Sequence, residues 1–265
     1  MDWLKCQKQK WAFSWRVFMI HVCTAANRHL YRAQLREMHR QRYEVFVKSK
    51  GWNLTVKEGG EFDDGDDARA VYLMAIDESG SCYSSIRVRP ADDFSMIIDR
   101  MAHYVEGDAR TLRDEPGLWE MARWISIGAD PAVAQEMRIA VIEYLLGRGA
   151  TQCLAIADIE VMAYAVRTGW RLRVLGPPKP YPEGGVAIAL SLPIQREEVS
   201  YLRDLTDRQD VFMMEIDPGA PWAGLSLPLI QSAFEAAAAR AWDAEEMTTL
   251  ADQELRHRIE LGRVA

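Results

Sequence analysis

Two short stretches carry residues able to do chemistry. In "WEMARW" (119–124) a carboxylate, Glu120, and a guanidinium, Arg123, stand three positions apart between two tryptophans. In "EFDDGDD" (61–67), five carboxylates crowd into seven residues: Glu61, Asp63, Asp64, Asp66 and Asp67. A carboxylate beside a cleft can take a proton or hold a cation, and a guanidinium can grip a carboxylate. The acidic window is not a calcium loop of the EF-hand kind, because the ligand spacing and the closing Glu are missing. Its plainest reading is a solvated acidic loop, which suits Asp64 and Asp67. Arg42 interrupts an apolar helical face between Met38 and Val45. A buried arginine needs a partner, and the loop aspartates are the natural ones.

The positions of these groups depend on the elements that carry them. "GLWEMARWISIG" is bounded by glycines and followed at once by a helical pattern, so it reads as a strand. On a regular strand Trp119 shares a face with Met121 and Arg123, while Glu120 faces away from Arg123. "MIHVCTA", "AVYLMAID", "CYSSIRVRP", "QCLAIAD" and "GGVAIALSLPI" also read as strands. Helices are expected after Asn27 as N-cap, over "PAVAQEMRIAVIEYLLG", and over "IEVMAYAVR". The order is one helix, a run of antiparallel strands, then strand, helix, strand, helix, strand. That is an α+β fold, an α/β/α sandwich around one central mixed sheet. The expected division is an N-terminal extension at 1–18, a catalytic domain at 19–196, and an Ala- and Glu-rich helical extension at 197–265.

The 265 residues carry a net charge of −7 and 49% apolar residues, which fits a globular chain and gives no basic field for nucleic acid. Cys6, Cys23, Cys82 and Cys153 form no CxxC and no nearby histidines supply metal spacing, so no metal site is expected and the last three read as packed thiols. No apolar run approaches the ~20 residues of a membrane span, and a cytoplasmic enzyme without a membrane partner is expected. Neither GxGxxG nor GxxxxGK[ST] occurs, so dinucleotide and P-loop readings lack support.

Taken in order, several motifs resemble the acyl-homoserine-lactone synthases, the autoinducer synthases of bacterial quorum sensing. They are "RYEVFVKSKGW" (Arg42, Phe46, Trp52), "EFDDGD" (Asp63, Asp66), "SIRVRP" (Arg87), "WEMARW" (Glu120, Arg123) and "RTGW…LGPP". The resemblance covers residues 19–194 and implies a GNAT-like N-acyltransferase core. It implies that an acyl thioester, on acyl carrier protein or coenzyme A, acylates the amine of S-adenosylmethionine. The methionyl carboxylate then closes on its γ-carbon and methylthioadenosine leaves. S-adenosylmethionine is thus a substrate, and no cofactor is expected. By the same resemblance Glu120, Arg123, Asp63 and Asp66 are the catalytic candidates. Arg42, Phe46, Trp52, Arg87 and Met101 fall on the adenosylmethionine side, Met101 standing where the family commonly has Phe. Ala157 replaces a Thr that the family associates with 3-oxo acyl groups, which points to a different acyl chain.

The chemistry asks for a carboxylate near the amine, donors for the thioester oxyanion, and aromatic or acidic groups around the sulfonium. Glu120 is expected either to relay the amine proton or to pair with Arg87; a purely structural ion-pair network is the plain alternative. Arg167, Arg171, Arg173 and Lys179, around Trp170, are the candidate docking patch for the thioester carrier. Two other functions remain open. A simple acetyl-coenzyme A acyltransferase would want a glycine-rich pyrophosphate loop, where "IGADPAVAQEM" offers only Gly128. A non-catalytic interaction protein would bind no adenosylmethionine.

Overall fold

The computed structural model describes residues 19–128, 131–207 and 209–261. The expected extension at 1–18, with Cys6, lies outside them.

The apolar runs become strands because each has a buried partner on both faces. They are β1 (Met19–Cys23), β4 (Val71–Ile76), β5 (Cys82–Pro90), β6 (Leu118–Ser126), β7 (Gln152–Asp158) and β10 (Gly185–Pro193). Shorter strands β8 (Arg173–Val174), β9 (Lys179–Tyr181) and β11 (Met213–Glu215) complete the set, and β2 (Thr55–Lys57) with β3 (Gly60–Phe62) forms a separate hairpin in the acidic segment. Among the described residues one sheet runs β11-β1-β4-β5-β6-β7-β10-β8, with β9 also on β10. The β11–β1 and β6–β7 pairs are parallel and the others antiparallel, giving the mixed sheet expected.

Side chains alternate between two apolar layers, as a period-2 strand requires. Ile20, Leu73, Ile86, Val88 and Ala155 face α3 (Pro131–Gly147) and α5 (Arg196–Thr206). Met19, Tyr72, Met74 and Ile76 face the opposite layer, built by α1 (Arg32–Arg42), α6 (Leu227–Ala238) and α7 (Ala244–Glu260). On that same side α2 (Met96–Asp99) and the 3₁₀ turns after it cover Leu118, Leu154 and Ala189. α4 (Ile159–Arg167) lies past the end of β7 and buries none of its residues.

The segment after 196 is helical, as its composition suggests, but it is built into the body. β11 extends the main sheet beside β1, and Phe234, Met247 and Leu255 share a core with Met74 and Ile76. Asn27 does not cap a helix with its side chain. Its amide donates to the carbonyls of Val22 (3.0 Å) and Ile216 (3.1 Å), tying the C-terminal segment to β1. Cys23, Cys82 and Cys153 are free and buried, as expected. No helix of the described residues is long and apolar enough to cross a membrane.

The feature that makes the site is a fork in the sheet. β6 and β7 pair at only three positions, ending at Glu120 opposite Leu154. Beyond that point β6 stays with β5 and β7 stays with β10, so residues 121–126 and 155–158 diverge. An irregularity in β6 assists the opening. Arg123 has a positive φ of 59°, sparsely allowed for a residue with a side chain, and the β5–β6 register shifts between Ser85 and Arg87.

Candidate active site

The irregularity at Arg123 corrects the strand expectation. A positive φ breaks the alternation, so Trp124, not Arg123, joins Trp119 and Met121 against the α3 layer. Arg123 instead meets the acidic hairpin on the other face, the face that Glu120 also takes. Nη2 of Arg123 lies 3.0 Å from Glu61 Oε1 and 2.8 Å from Asp63 Oδ2. This is a strained conformation kept at a site where charges converge.

Three guanidiniums and three carboxylates form one buried cluster. Arg42, wholly buried on α1, donates from Nε to Glu61 (2.6 Å) and through both Nη atoms to Asp66 (2.8 Å each). Arg87 on β5 bridges Asp66 (2.8 Å) and Asp63 (3.1 Å). Tyr72 adds its hydroxyl to Asp66 at 2.9 Å. Burial opposes ionisation of Asp66, but hydrogen bonds and charge from Arg42, with the charge of Arg87, outweigh it and hold the carboxyl far below the usual range. Burial likewise works against Asp63 and is overcome by the charges of Arg87 and Arg123. Arg42 therefore finds the loop aspartates, as expected. Glu61, part of the same "EFDDGD" window, is the partner that sequence reading passed over. Asp64 stays on the surface with Arg100, whereas Asp67 is tied to the buried Arg89.

Gly65 makes the cluster possible, because a Cβ there would lie 2.7 Å from Arg87 Nη2. Gly65→Ala is expected to push Arg87 off its carboxylates and lower stability by about 1–3 kcal/mol, read as a fall in the urea midpoint at unchanged slope.

Glu120 does not pair with Arg87, whose Nη atoms are engaged by Asp63 and Asp66. Its carboxylate accepts from the Ser95 hydroxyl and from the backbone N–H groups of Met96 (3.2 Å) and Ile97 (3.1 Å), the start of α2. One carboxylate thus anchors the wall that Met96, Ile97 and Met101 present to the cavity.

A cavity of about 460 Å³ passes through the fork, within the size range of small-molecule sites. On the α1–α2 side it is lined by Phe46, Lys50, Trp52, Met101, Glu120 and Asp158. Phe46 and Trp52 stack with centroids 5.1 Å apart, and Arg123 lies over Phe46 at 5.5 Å. Lys50 pairs with Asp158 at the end of β7, which also accepts from Tyr181 at 2.9 Å. On the α3 side the walls are Met121, Trp124, Ala155, Ala157, Leu190 and Leu192. Trp170 closes this side, 6.0 Å from Trp124.

Of the candidate docking residues, Lys179 stands apart from Arg173 along the sheet. Arg173 on β8 stands opposite Ser191, whereas Lys179 on β9 stands opposite Ala187, four positions further along β10. Lys179 is also engaged by the His103 carbonyl, and Arg171 by Glu198 at 3.0 Å. Arg167 ends α4.

The split mixed sheet carries an aromatic and acidic chamber on one face and an apolar chamber on the other, open to each other at the fork. Residues 26–202 match the family model described as autoinducer synthase, and the chain belongs to that family. It is 30% identical over 189 residues to the isovaleryl-homoserine lactone synthase of Bradyrhizobium diazoefficiens, covering 70% of this chain and 84% of that protein. It is 27% identical over 183 residues to an acyl-homoserine-lactone synthase of Pseudomonas aeruginosa, covering 68% and 89%. The fold is similar to that of BjaI, described as a CoA-dependent acyl-homoserine lactone synthase and solved with SAM and isopentyl-CoA. The TM-score is 0.67 at 26% identity, over 76% of this chain and 94% of that one.

Proposed function

We propose that the chain makes an acyl-homoserine lactone from S-adenosylmethionine and an acyl-coenzyme A. The observation that carries this reading is the cavity through the fork, with chemically different walls on its two sides. Phe46 and Trp52 offer π-faces to the sulfonium and adenosyl group, and Glu120 adds negative charge on the same side, where Asp158 is paired with Lys50. The acyl chain takes the apolar side, and its thioester carbonyl lies at the fork between them.

At the fork the amine, having lost a proton, attacks the thioester carbonyl, and the thiolate leaves and takes up a proton. The methionyl carboxylate then attacks its own γ-carbon, the C–S bond breaks, and sulfur keeps the electron pair as methylthioadenosine departs. The cluster of Arg42, Arg87 and Arg123 with Glu61, Asp63 and Asp66 is charge-balanced within itself. Its part is to fix the hairpin and Phe46 against the fork, so these residues position the substrate. Coenzyme A is favoured as the carrier by the likeness to BjaI.

The test is incubation with S-adenosylmethionine and a panel of acyl-coenzyme A and acyl-carrier-protein donors, followed by mass spectrometry. Methylthioadenosine and an acyl-homoserine lactone are expected together, from a coenzyme A donor. Neither product from any donor, with no adenosylmethionine binding, would sink the reading; products from carrier-protein donors alone would overturn the choice of carrier.

A further inference from the structure

Arg138, on α3, is one buried cation that the reaction above leaves unused. Its side chain is 2% exposed and lines the apolar side of the cavity. Nη1 is satisfied by the Thr168 carbonyl and by Gln135 Oε1 at 3.2 Å. The guanidinium lies 4.9 Å from the Trp170 ring centre. Nε and Nη2, which share the other, two-pronged edge of the group, have no hydrogen-bond partner. That edge has the geometry that carboxylates and similar oxygens fill in pairs.

Burial lowers the Arg138 pKa to about 10, so the group remains a cation at neutral pH. A buried cation with two of its three nitrogens lacking acceptors is destabilising by itself. Glu198, whose charge acts on Arg138, borders a void of about 10 Å³ shared with Arg138, Trp170 and Arg171. That void has room for one water at most, and Glu198 already meets Arg171 at 3.0 Å. Of the polar groups that line the cavity near it, Gln135 and the Thr168 carbonyl are engaged by Nη1, and Tyr164 makes no hydrogen bond to Nε or Nη2.

We propose that the acyl group of this enzyme carries an oxygen acceptor at its far end, a hydroxyl, carbonyl or carboxylate, which fills the open edge of Arg138. The inference rests on the acyl chain occupying the α3 side, as argued above. A carboxylate matches both the charge and the two-pronged edge; a hydroxyl or carbonyl matches the hydrogen bonding alone. An acyl chain lacking any such oxygen leaves Nε and Nη2 without acceptors, and sites built around a hydrogen bond reject such analogues strongly.

Coenzyme A thioesters equal in carbon number would be compared on the wild type and on Arg138→Met: octanoyl against ω-hydroxyoctanoyl and ω-carboxyheptanoyl chains, and cinnamoyl against para-hydroxycinnamoyl. The oxygenated member of at least one pair is expected to be favoured about tenfold or more in kcat/KM by the wild type, and the preference should vanish in Arg138→Met. Arg138→Lys, which keeps the charge and loses the two-pronged edge, should fall between. The thermal upshift given by each thioester reads the same preference as binding, with or without turnover. It therefore decides the inference even where no lactone forms, whereas a lack of lactone from every donor counts against the synthase reading alone. The melting temperature of unliganded Arg138→Met is expected to hold or rise. If plain and oxygenated donors bind alike to the wild type and the methionine variant is less stable, Arg138 is a structural residue and the inference is wrong.

Discussion

Asp66→Asn is expected to be the most damaging single-atom-scale change in the molecule. The cluster holds three positive charges (Arg42, Arg87, Arg123) against three negative ones (Glu61, Asp63, Asp66), with side chains between 0% and 12% exposed. Asp66 alone receives Arg42 twice, Arg87, the Tyr72 hydroxyl and the Asp63 N–H. Asparagine keeps the shape but leaves a net buried positive charge, and its NH₂ faces donors. Breaking a buried pair from one side costs about 3–5 kcal/mol, which in a chain of this size lowers the melting temperature on the order of ten degrees. Because the cluster holds Phe46 and the hairpin against the fork, lactone formation should fall by about 10²-fold or more. Asp64→Asn is the internal control: its partner Arg100 is exposed, and the loss should stay below about 1 kcal/mol.

The same cluster sets an acid limit. Asp66 and Asp63 titrate below their usual values in the folded chain. Their stabilising contribution is then fully present above the unfolded carboxyl value near ~4 and is lost as pH falls below it through the folded values. Urea midpoints of the wild type should drop steeply in that acid window, and those of Asp66→Asn more shallowly. Equal stability of variant and wild type at neutral pH would show that the network does not hold the fold.

The strands, the main helices and the burial of Arg42 beside the loop aspartates were legible because each rests on local information. Apolar runs such as "AVYLMAI" can only be sheet interior, and Arg42 on an apolar helix face announces a buried partner. The pairing within the site was not legible. Period-2 alternation put Glu120 and Arg123 on opposite faces, and one positive φ at Arg123 reversed that; nothing in "EMARW" marks a non-glycine residue for such a conformation. Glu61 was hidden by its neighbours, since in a window of five carboxylates sequence alone does not say which points inward. Lys50, Asp158 and Arg138 were missed because their role comes from where β7, α3 and the Trp52 segment converge, a matter of tertiary packing. The segment after 196 looked separable because its composition differs, yet β11 and α6 are needed to cover β1 and β4.

Glu120→Gln separates two roles that one carboxylate can combine. A group whose only task is to take the amine proton should, when changed to Gln, lose kcat and the acid limb of the pH–rate profile while stability and adenosylmethionine affinity stay as they were. The geometry predicts a broader failure. Both oxygens of Glu120 already receive N–H or O–H donors from Ser95, Met96 and Ile97. The Gln side chain presents one acceptor and an NH₂ group, so at least one of those buried donors loses its partner, at about 1–3 kcal/mol. α2 is a single turn and cannot hold itself in place without this anchor. Met96, Ile97 and Met101 should therefore loosen together, so that the Kd for adenosylmethionine rises about tenfold or more while the melting temperature falls. Calorimetric binding and thermal unfolding of the variant, measured beside its kinetics, decide the matter. Unchanged Kd and melting temperature with kcat abolished would return Glu120 to proton transfer alone. A shift in all three, matched in part by Ser95→Ala, which leaves the carboxylate untouched, would show that the Glu120 carboxylate acts first by building the wall against which the amine is presented.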